Sequence, residues 1–234
     1  MKAMILAAGR GTRLRPLTDT RPKALAEVNG RPLLAHVLGR LVAAGVTEVI
    51  INLHHLGTQI PPFLEQHGCF GVGRVAYSEE PVLLGTGGGL KQAGWFFDDG
   101  QPFLVHNVDV LSDIDLGALW RSQRDSGALA SLAVMERPTS RPLFFDADGR
   151  LCGRRRADGG EQRVRAPRGA VTALGFAGIH AISPAILGKM TEAGAFPLTD
   201  AYLRLAGAGE VIRAHRVDGA RWRDCGRLED LRPL

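Results

Sequence analysis

Lysine is scarce in this chain: Lys2, Lys23, Lys91 and Lys189 are the only four among 29 basic residues. Cysteine is scarcer, and the three present (Cys69, Cys152 and Cys225) are widely spaced, with no C-x-x-C pair. That arithmetic excludes a disulfide framework and a zinc ribbon, and predicts reduced thiols. No apolar run approaches the roughly 20 residues that a membrane-crossing helix needs. The first apolar stretch breaks at Gly9-Arg10, so it lacks the h-region and cleavage site of a secretory signal. These absences predict a cytoplasmic protein with no membrane partner. Aromatic residues make up only 6% of the chain, and no aromatic stacking pattern or recognised nucleic-acid module accompanies the arginines. The net charge of +5 is scattered except at Arg154-Arg155-Arg156, with Arg163, Arg165 and Arg168 nearby. A small anionic substrate accounts for that balance without a nucleic-acid partner.

What is present begins at the N-terminus. Met4-Ile5-Leu6-Ala7-Ala8 runs into Gly9-Arg10-Gly11-Thr12-Arg13-Leu14-Arg15-Pro16, followed by Arg21-Pro22-Lys23. A short apolar run closed by a glycine pair reads as a buried strand ending in a tight loop. Glycines there let a bound group approach the backbone, and successive amide N–H groups form a nest for anions. Arg13 adds a planar fork for phosphate oxygens and Lys23 a point charge. A plain basic turn is the competing reading of a lone G-x-G. The loop is not a Walker A motif, because no Gly-Lys-Ser/Thr closes it. Nor is it a dinucleotide fingerprint, because Leu14 stands where the third glycine belongs.

With 234 residues and 45% hydrophobic content, the chain suits an α/β fold. Leu33, Leu34, Val37, Leu38, Leu41 and Val42 recur at helical spacing, and Gly45 stops the helix. A strand over Val46–Leu53, a helix from Leu56 to about His67 and a strand over Arg74–Ser78 follow. This rhythm predicts a mainly parallel sheet with helices on both faces, and ligands beyond the carboxyl ends of its strands. Leu84-Gly85-Thr86-Gly87-Gly88-Gly89-Leu90 reads either as a flexible turn or as a helix start that a flat ligand can approach. Phe103–Val110 is an apolar strand that turns polar at Asn107 and Asp109, so Asp109 is a crevice carboxylate or a turn aspartate. A helix over Asp115–Gly127 and strands over Ala130–Val134 and Val211–Val217 complete the pattern.

The N-terminal run resembles the signature of the sugar-1-phosphate nucleotidyltransferases, and three further segments resemble that family in the expected order. The resemblance implies a Rossmann-like three-layer sandwich, a mainly parallel mixed sheet in one domain over 1–234. Its nucleotide-binding part would span about 1–115 and its sugar-binding part about 116–234. Ala7, Ala8, Gly9, Gly11, Thr12, Arg13 and Lys23, with Gly85, Thr86 and Gly87, are implied to bind nucleotide. Asn107-Val108-Asp109-Val110 resembles the family's metal-bearing segment, and Trp222-Arg223-Asp224-Cys225-Gly226 its W-x-D-x-G. Asp109 and Asp224 are thereby implied to hold Mg²⁺. Gly178, in a segment resembling F-x-G-I, is implied with Asn107 to contact the sugar phosphate. Where many relatives carry Glu-Lys-Pro, this chain has Cys152-Gly153-Arg154-Arg155-Arg156, either a source of sugar-phosphate charge or a solvated loop. The implied catalytic set is Arg13, Lys23, Asp109 and Asp224. The reaction implied is attack of a sugar-1-phosphate on the α-phosphorus of a nucleoside triphosphate, by a monomer or small homo-oligomer. Uridylyl transfer to N-acetylmuramate-1-phosphate and guanylyl transfer to mannose-1-phosphate fit the short chain best. A cytidylyltransferase acting on an alcohol phosphate and a non-catalytic nucleotide-binding module are the alternatives.

Overall fold

Strand β1 (Lys2–Leu6) is buried along its whole length, and its side chains divide by the period of two that a strand imposes. Ala3 and Ile5 enter one apolar cluster, Met4 and Leu6 the other. β1 is therefore central, with helices on both of its faces. The computed structural model describes residues 1–232. A two-residue pair, β2 (Glu27–Val28) and β3 (Arg31–Pro32), leads into α1 (Leu33–Ala43). Next come β4 (Glu48–Leu53), α2 (Ile60–Gln66), β5 (Arg74–Glu79), α3 (Gly85–Gln92), β6 (Phe103–Asn107) and β7 (Val110–Ser112). After α4 (Leu116–Ser126) the chain turns mostly to strands: β8 (Ala130–Met135), β9 (Leu143–Phe145), β10 (Leu151–Arg155), β11 (Glu161–Arg163) and β12 (Thr172–Ile182). α5 (Leu198–Gly207), β13 (Ile212–Arg216) and β14 (Trp222–Asp224) follow.

The large sheet runs β11-β10-β9-β12-β6-β1-β4-β5, with β8 and β13 joined beyond β12. β6, β1, β4 and β5 are mutually parallel, as a strand–helix rhythm demands, whereas β12 runs antiparallel to β6, β8 and β9. Helices α1, α2 and α4 bury Leu38, Ile60 and Leu119 on one face. α3 and α5 bury Leu90 and Tyr202 on the other. The expected three-layer α/β sandwich with a mixed sheet is what the chain forms. The strands β9, β10 and β11 form an antiparallel meander.

Two local features bear on the site. Of the two readings of the glycine run, the helix start is the one the chain adopts, since all of Gly85–Gly89 lies inside α3. β12 is eleven residues long and bends at Gly178, whose φ of +76° falls where its pairing with β8 shifts register. Only glycine takes that conformation without strain. The bend lets one strand serve both the parallel half and the meander.

Candidate active site

The carboxyl end of β1 delivers the signature loop. Ala7 is buried, and its N–H donates to Asn52 Oδ1 at 2.7 Å. Gly9 is exposed with open space beside its Cα, so its backbone faces solvent directly. Gly11 has a φ of +61°, and a Cβ there would stand 2.8 Å from Thr18 Cγ2. Thr18 Oγ1 donates to Gly11 O at 2.9 Å, and Leu14 is fully buried, so a short 3₁₀ turn over Thr12–Leu14 is fixed from below. Thr12 and Arg13 are thereby left outside.

The two acids arrive on paired strands. β14 runs antiparallel to β7 with Asp224 opposite Val110, and Cys225 N–H donates to the Asp109 carbonyl at 2.7 Å. Asp109 and Asp224 are 115 positions apart in sequence, yet this pairing makes their backbones neighbours. The Asp109 carboxylate forms an ion pair with Lys23 Nζ. Asp224 Oδ1 accepts from Gly226 N–H at 2.7 Å. A Cβ on Gly226 would lie 2.6 Å from Arg13 Nη2 and 2.7 Å from Asp224 Oδ1. The missing side chain is what lets the arginine of the first loop come up beside the second acid. Trp222 anchors β14, its indole N–H donating to Ala177 O at 2.8 Å.

A cleft of about 240 Å³ collects Ala8, Gly9, Lys23, Gly85, Thr86, Asn107 and Asp109. Gly178 lies against its wall, since a Cβ there would stand 3.0 Å from Asn107 Nδ2 and 2.9 Å from Val110 Cγ2. Arg13 and Asp224 stand together at Gly226, outside that lining. Ala7 and Gly11 hold the loop and Thr12 stands exposed on it, so none of the three lines the cleft. Gly87 points the other way: a Cβ would meet the Phe196 ring at 2.2 Å, and its N–H donates to Phe196 O at 2.9 Å. Gly88 and Gly89 are similarly pressed, against Gly194 O at 2.5 Å and Glu80 Oε1 at 2.5 Å. The run serves close packing of α3 on its surroundings, and only its first turn reaches the cleft.

Sequence reasoning missed Asn52 and Glu80. Both are buried; Asn52 Nδ2 donates to Glu80 Oε1 at 2.7 Å, and Leu84 N–H donates to Glu80 Oε2 at 2.8 Å. With the Ala7 contact, this chain of bonds ties the ends of β1, β4 and β5 to the start of α3. The available signal was a polar residue within the apolar run Ile50-Ile51-Asn52-Leu53, because an amide is buried only where it finds partners. His106, in contrast, is packing: its Nδ1–H donates to Asn107 O at 2.8 Å, and burial pushes its pKa down to about 4.

Among the described residues no group of three or more His, Cys, Asp or Glu side chains assembles. The hard carboxylates available are Asp109, in the cleft lining, and Asp224, on the strand paired beside it. That set fits a magnesium-like ion, which takes one or two protein carboxylates and completes its shell from substrate phosphates and water. It does not fit zinc or a soft metal, which call for imidazole or thiolate.

The sheet therefore carries an exposed glycine-arginine loop and two acids beyond its strand ends, where folds of this kind bind ligands. The family model for nucleotidyl transferase matches residues 2–145. The N-acetylmuramate alpha-1-phosphate uridylyltransferase of Neisseria meningitidis is 40% identical, over 100% of this chain and 98% of that protein. The enzyme of the same name from Caulobacter vibrioides is 35% identical, over 89% and 86%. A putative glucose-1-phosphate thymidylyltransferase from Bacillus anthracis superposes with a TM-score of 0.81 at 18% identity, over 99% of this chain and 92% of that one. A UTP-bound UGPase from Acinetobacter baumannii superposes at 0.78 and 21%, over 98% and 90%. These two share the fold. The chain belongs to the nucleotidyl transferase family, and it is an enzyme. No helix among the described residues is long and apolar enough to cross a membrane.

Proposed function

We propose that the protein joins UTP to N-acetylmuramate-1-phosphate in the cytoplasm, producing the UDP-sugar and pyrophosphate. The observation that carries this reading is the convergence of separate sequence segments on one cleft: the first loop, Lys23, the start of α3, and Asn107 with Asp109. The choice of base and sugar is supported by two uridylyltransferase relatives that match along most of their length. The mannose-1-phosphate guanyltransferase beta-B of Xenopus laevis is 30% identical, and this chain covers 62% of it.

In this reading an oxygen of the sugar phosphate attacks the α-phosphorus opposite the α–β bridging oxygen. The new P–O bond forms as the bridging bond breaks, and pyrophosphate leaves with that electron pair. The nucleophile is already an anion, so no side-chain nucleophile is required. What remains is to hold two anions in line and to offset the charge that collects between them. The amides of Gly9–Gly11 and the Arg13 guanidinium hold the departing β,γ-phosphates. Such contacts to charged groups contribute about 1.5–3 kcal/mol each. Lys23, already at Asp109, stabilises charge at the reacting phosphate. Gly85 and Thr86 border the nucleoside, and Gly87 seats their helix. Asn107 and the bare backbone at Gly178 receive the sugar phosphate. Asp109 and Asp224 would hold Mg²⁺, which when bound neutralises and polarises phosphate oxygens.

The test is pyrophosphate release from UTP, GTP, CTP and dTTP, each crossed with a panel of sugar-1-phosphates and with phosphocholine. The highest kcat/KM is expected for UTP with N-acetylmuramate-1-phosphate. A higher value for GTP with mannose-1-phosphate, or for CTP with phosphocholine, would overturn the assignment.

A further inference from the structure

Strand β14, which carries Asp224, is weakly held by its own pairing. Among the described residues its sheet contains only β7, joined through three residue pairs. A two-stranded sheet of that size is marginal by itself. A carboxylate that shares an ion with a second one has to be held within about 0.5 Å. Contacts outside the sheet must therefore fix the strand.

Trp222 supplies one of them through the bond from its indole N–H to Ala177 O. Arg137, two residues beyond the end of β8, supplies the next. Its guanidinium lies over the Trp222 ring, 4.2 Å from the ring centre, and its Nη2 donates to Phe176 O at 2.8 Å. The two stacked side chains thus grip consecutive carbonyls of β12, at the bend where its pairing with β8 shifts register. The fold makes room for them: Gly175 lacks the Cβ that would stand 2.7 Å from Arg137 Cγ and 2.8 Å from its Nε. The base of the arginine is fixed as well, because the preceding Glu136 N–H donates to Asp218 Oδ1 at 2.7 Å. Nε is buried with no acceptor, a cost that the surrounding contacts offset. Burial also presses the Arg137 pKa down, and the Asp224 carboxylate is the charge that opposes it. Trp222 and Asp224 are two positions apart on β14, so their side chains leave the strand on the same face.

We propose that Arg137 is a positioning residue for Asp224. It clamps Trp222 to β12, and the clamped indole fixes the face of β14 from which Asp224 projects. The inference rests on the reading of Asp224 as a metal ligand given above. Arginine suits the role because its plane stacks on an aromatic face while its N–H groups still donate in that plane. A lysine ammonium carries the charge without the plane.

Two measurements on the whole chain test this. One is hydrogen exchange at the Trp222 indole N–H, followed by NMR. The other is Mn²⁺ affinity, read by EPR in the presence of a non-hydrolysable α,β-imido analogue of UTP. Wild type is compared with Arg137→Gln, Arg137→Lys, Asp224→Asn and the Arg137→Gln/Asp224→Asn double variant. Indole exchange is expected to speed up about tenfold or more in both Arg137 single variants, as a local clamp is released. Arg137→Gln is expected to weaken Mn²⁺ binding by about 5- to 20-fold, the value of a desolvated cation–aromatic contact. Asp224→Asn should weaken it at least as much, and the double variant no further, because the arginine acts through the acid. Three results would each overturn the proposal: unchanged exchange in Arg137→Gln, wild-type behaviour of Arg137→Lys, or an Mn²⁺ loss from Arg137→Gln that persists in full on the Asp224→Asn background. Faster exchange together with Mn²⁺ binding that Asp224→Asn leaves untouched would uphold the clamp and overturn the metal reading of Asp224.

Discussion

Asn52 shows how one buried amide sets the position of the loop after β1. Its carbonyl oxygen takes the Ala7 N–H and its amino group gives to Glu80, so both ends of the side chain are committed. Asn52→Ala leaves a backbone donor and a buried carboxylate short of one partner each. The expected cost is about 1–3 kcal/mol in urea unfolding, together with a raised KM for the nucleoside triphosphate. A variant within about 0.5 kcal/mol of wild type, the range of an ordinary surface change, would show that the bonds do not matter. Residues of this kind are hard to find in a sequence. Arg13, Lys23 and Asp109 stand in motifs with chemical meaning, and the strand ends on which they sit can be placed by periodicity alone. Asn52 and Glu80 act through partners 45 and 28 positions away, and a partner list exists only once the chain has folded.

At the scale of elements, α3 is a helix that its own composition does little to support. Four of its eight residues are glycine, each weaker than alanine in a helix interior by about 1 kcal/mol. The helix holds because the missing side chains let Phe196, Gly194 and Glu80 press directly on its backbone. Thr86 Oγ1 adds a bond, accepting from Leu198 N–H at 2.8 Å, which joins α3 to the start of α5. Gly87→Ala should therefore destabilise despite alanine's better propensity, because its methyl would fall 2.2 Å from the Phe196 ring. We expect a loss of about 1–3 kcal/mol, as for other overpacked sites, with lower kcat/KM. Stabilisation of this variant in thermal unfolding would mean that propensity outweighs packing here. The sequence pattern showed a glycine run beside a ligand site but not which neighbours it meets, since Phe196 lies more than a hundred positions away. The parallel half of the sheet was legible from its strand–helix rhythm. The bend of β12 was marked by Gly178, though the register shift there depends on β8.

For the whole molecule, the burial that makes the sheet stable also makes it sensitive to acid. His106 and His180 sit on adjacent strands between the layers, with His180 Nδ1 2.9 Å from the Tyr202 hydroxyl. Burial lowers their pKa values to about 4 and about 3, against an ordinary 6.5. Below pH 6.5 the unfolded chain takes up protons that the folded chain refuses, so stability is full above that pH and falls as pH drops towards 4. The pair sets a slope of at most about 2.7 kcal/mol per pH unit. Urea unfolding at pH 7.5, 6.5, 5.5 and 5.0 should show a flat region and then a decline, before most carboxylates titrate. A constant free energy down to pH 5 would contradict the neutral assignment of both histidines. The same architecture brings the two ends of the chain together: β7 carries the sequel to Asp109, β14 carries Asp224, and their pairing places both acids beside the loop that follows β1. In the reaction proposed above these acids act as one unit on one ion. Asp109→Asn, Asp224→Asn and the double variant, compared by pyrophosphate-release kcat at saturating Mg²⁺, test it most directly. Each single change is expected to lower kcat by about 10²–10³-fold. The double variant is expected to fall no further than the worse single one, because groups that work as a unit are not additive. Independent, multiplying losses, or wild-type turnover in either single variant, would contradict the shared site.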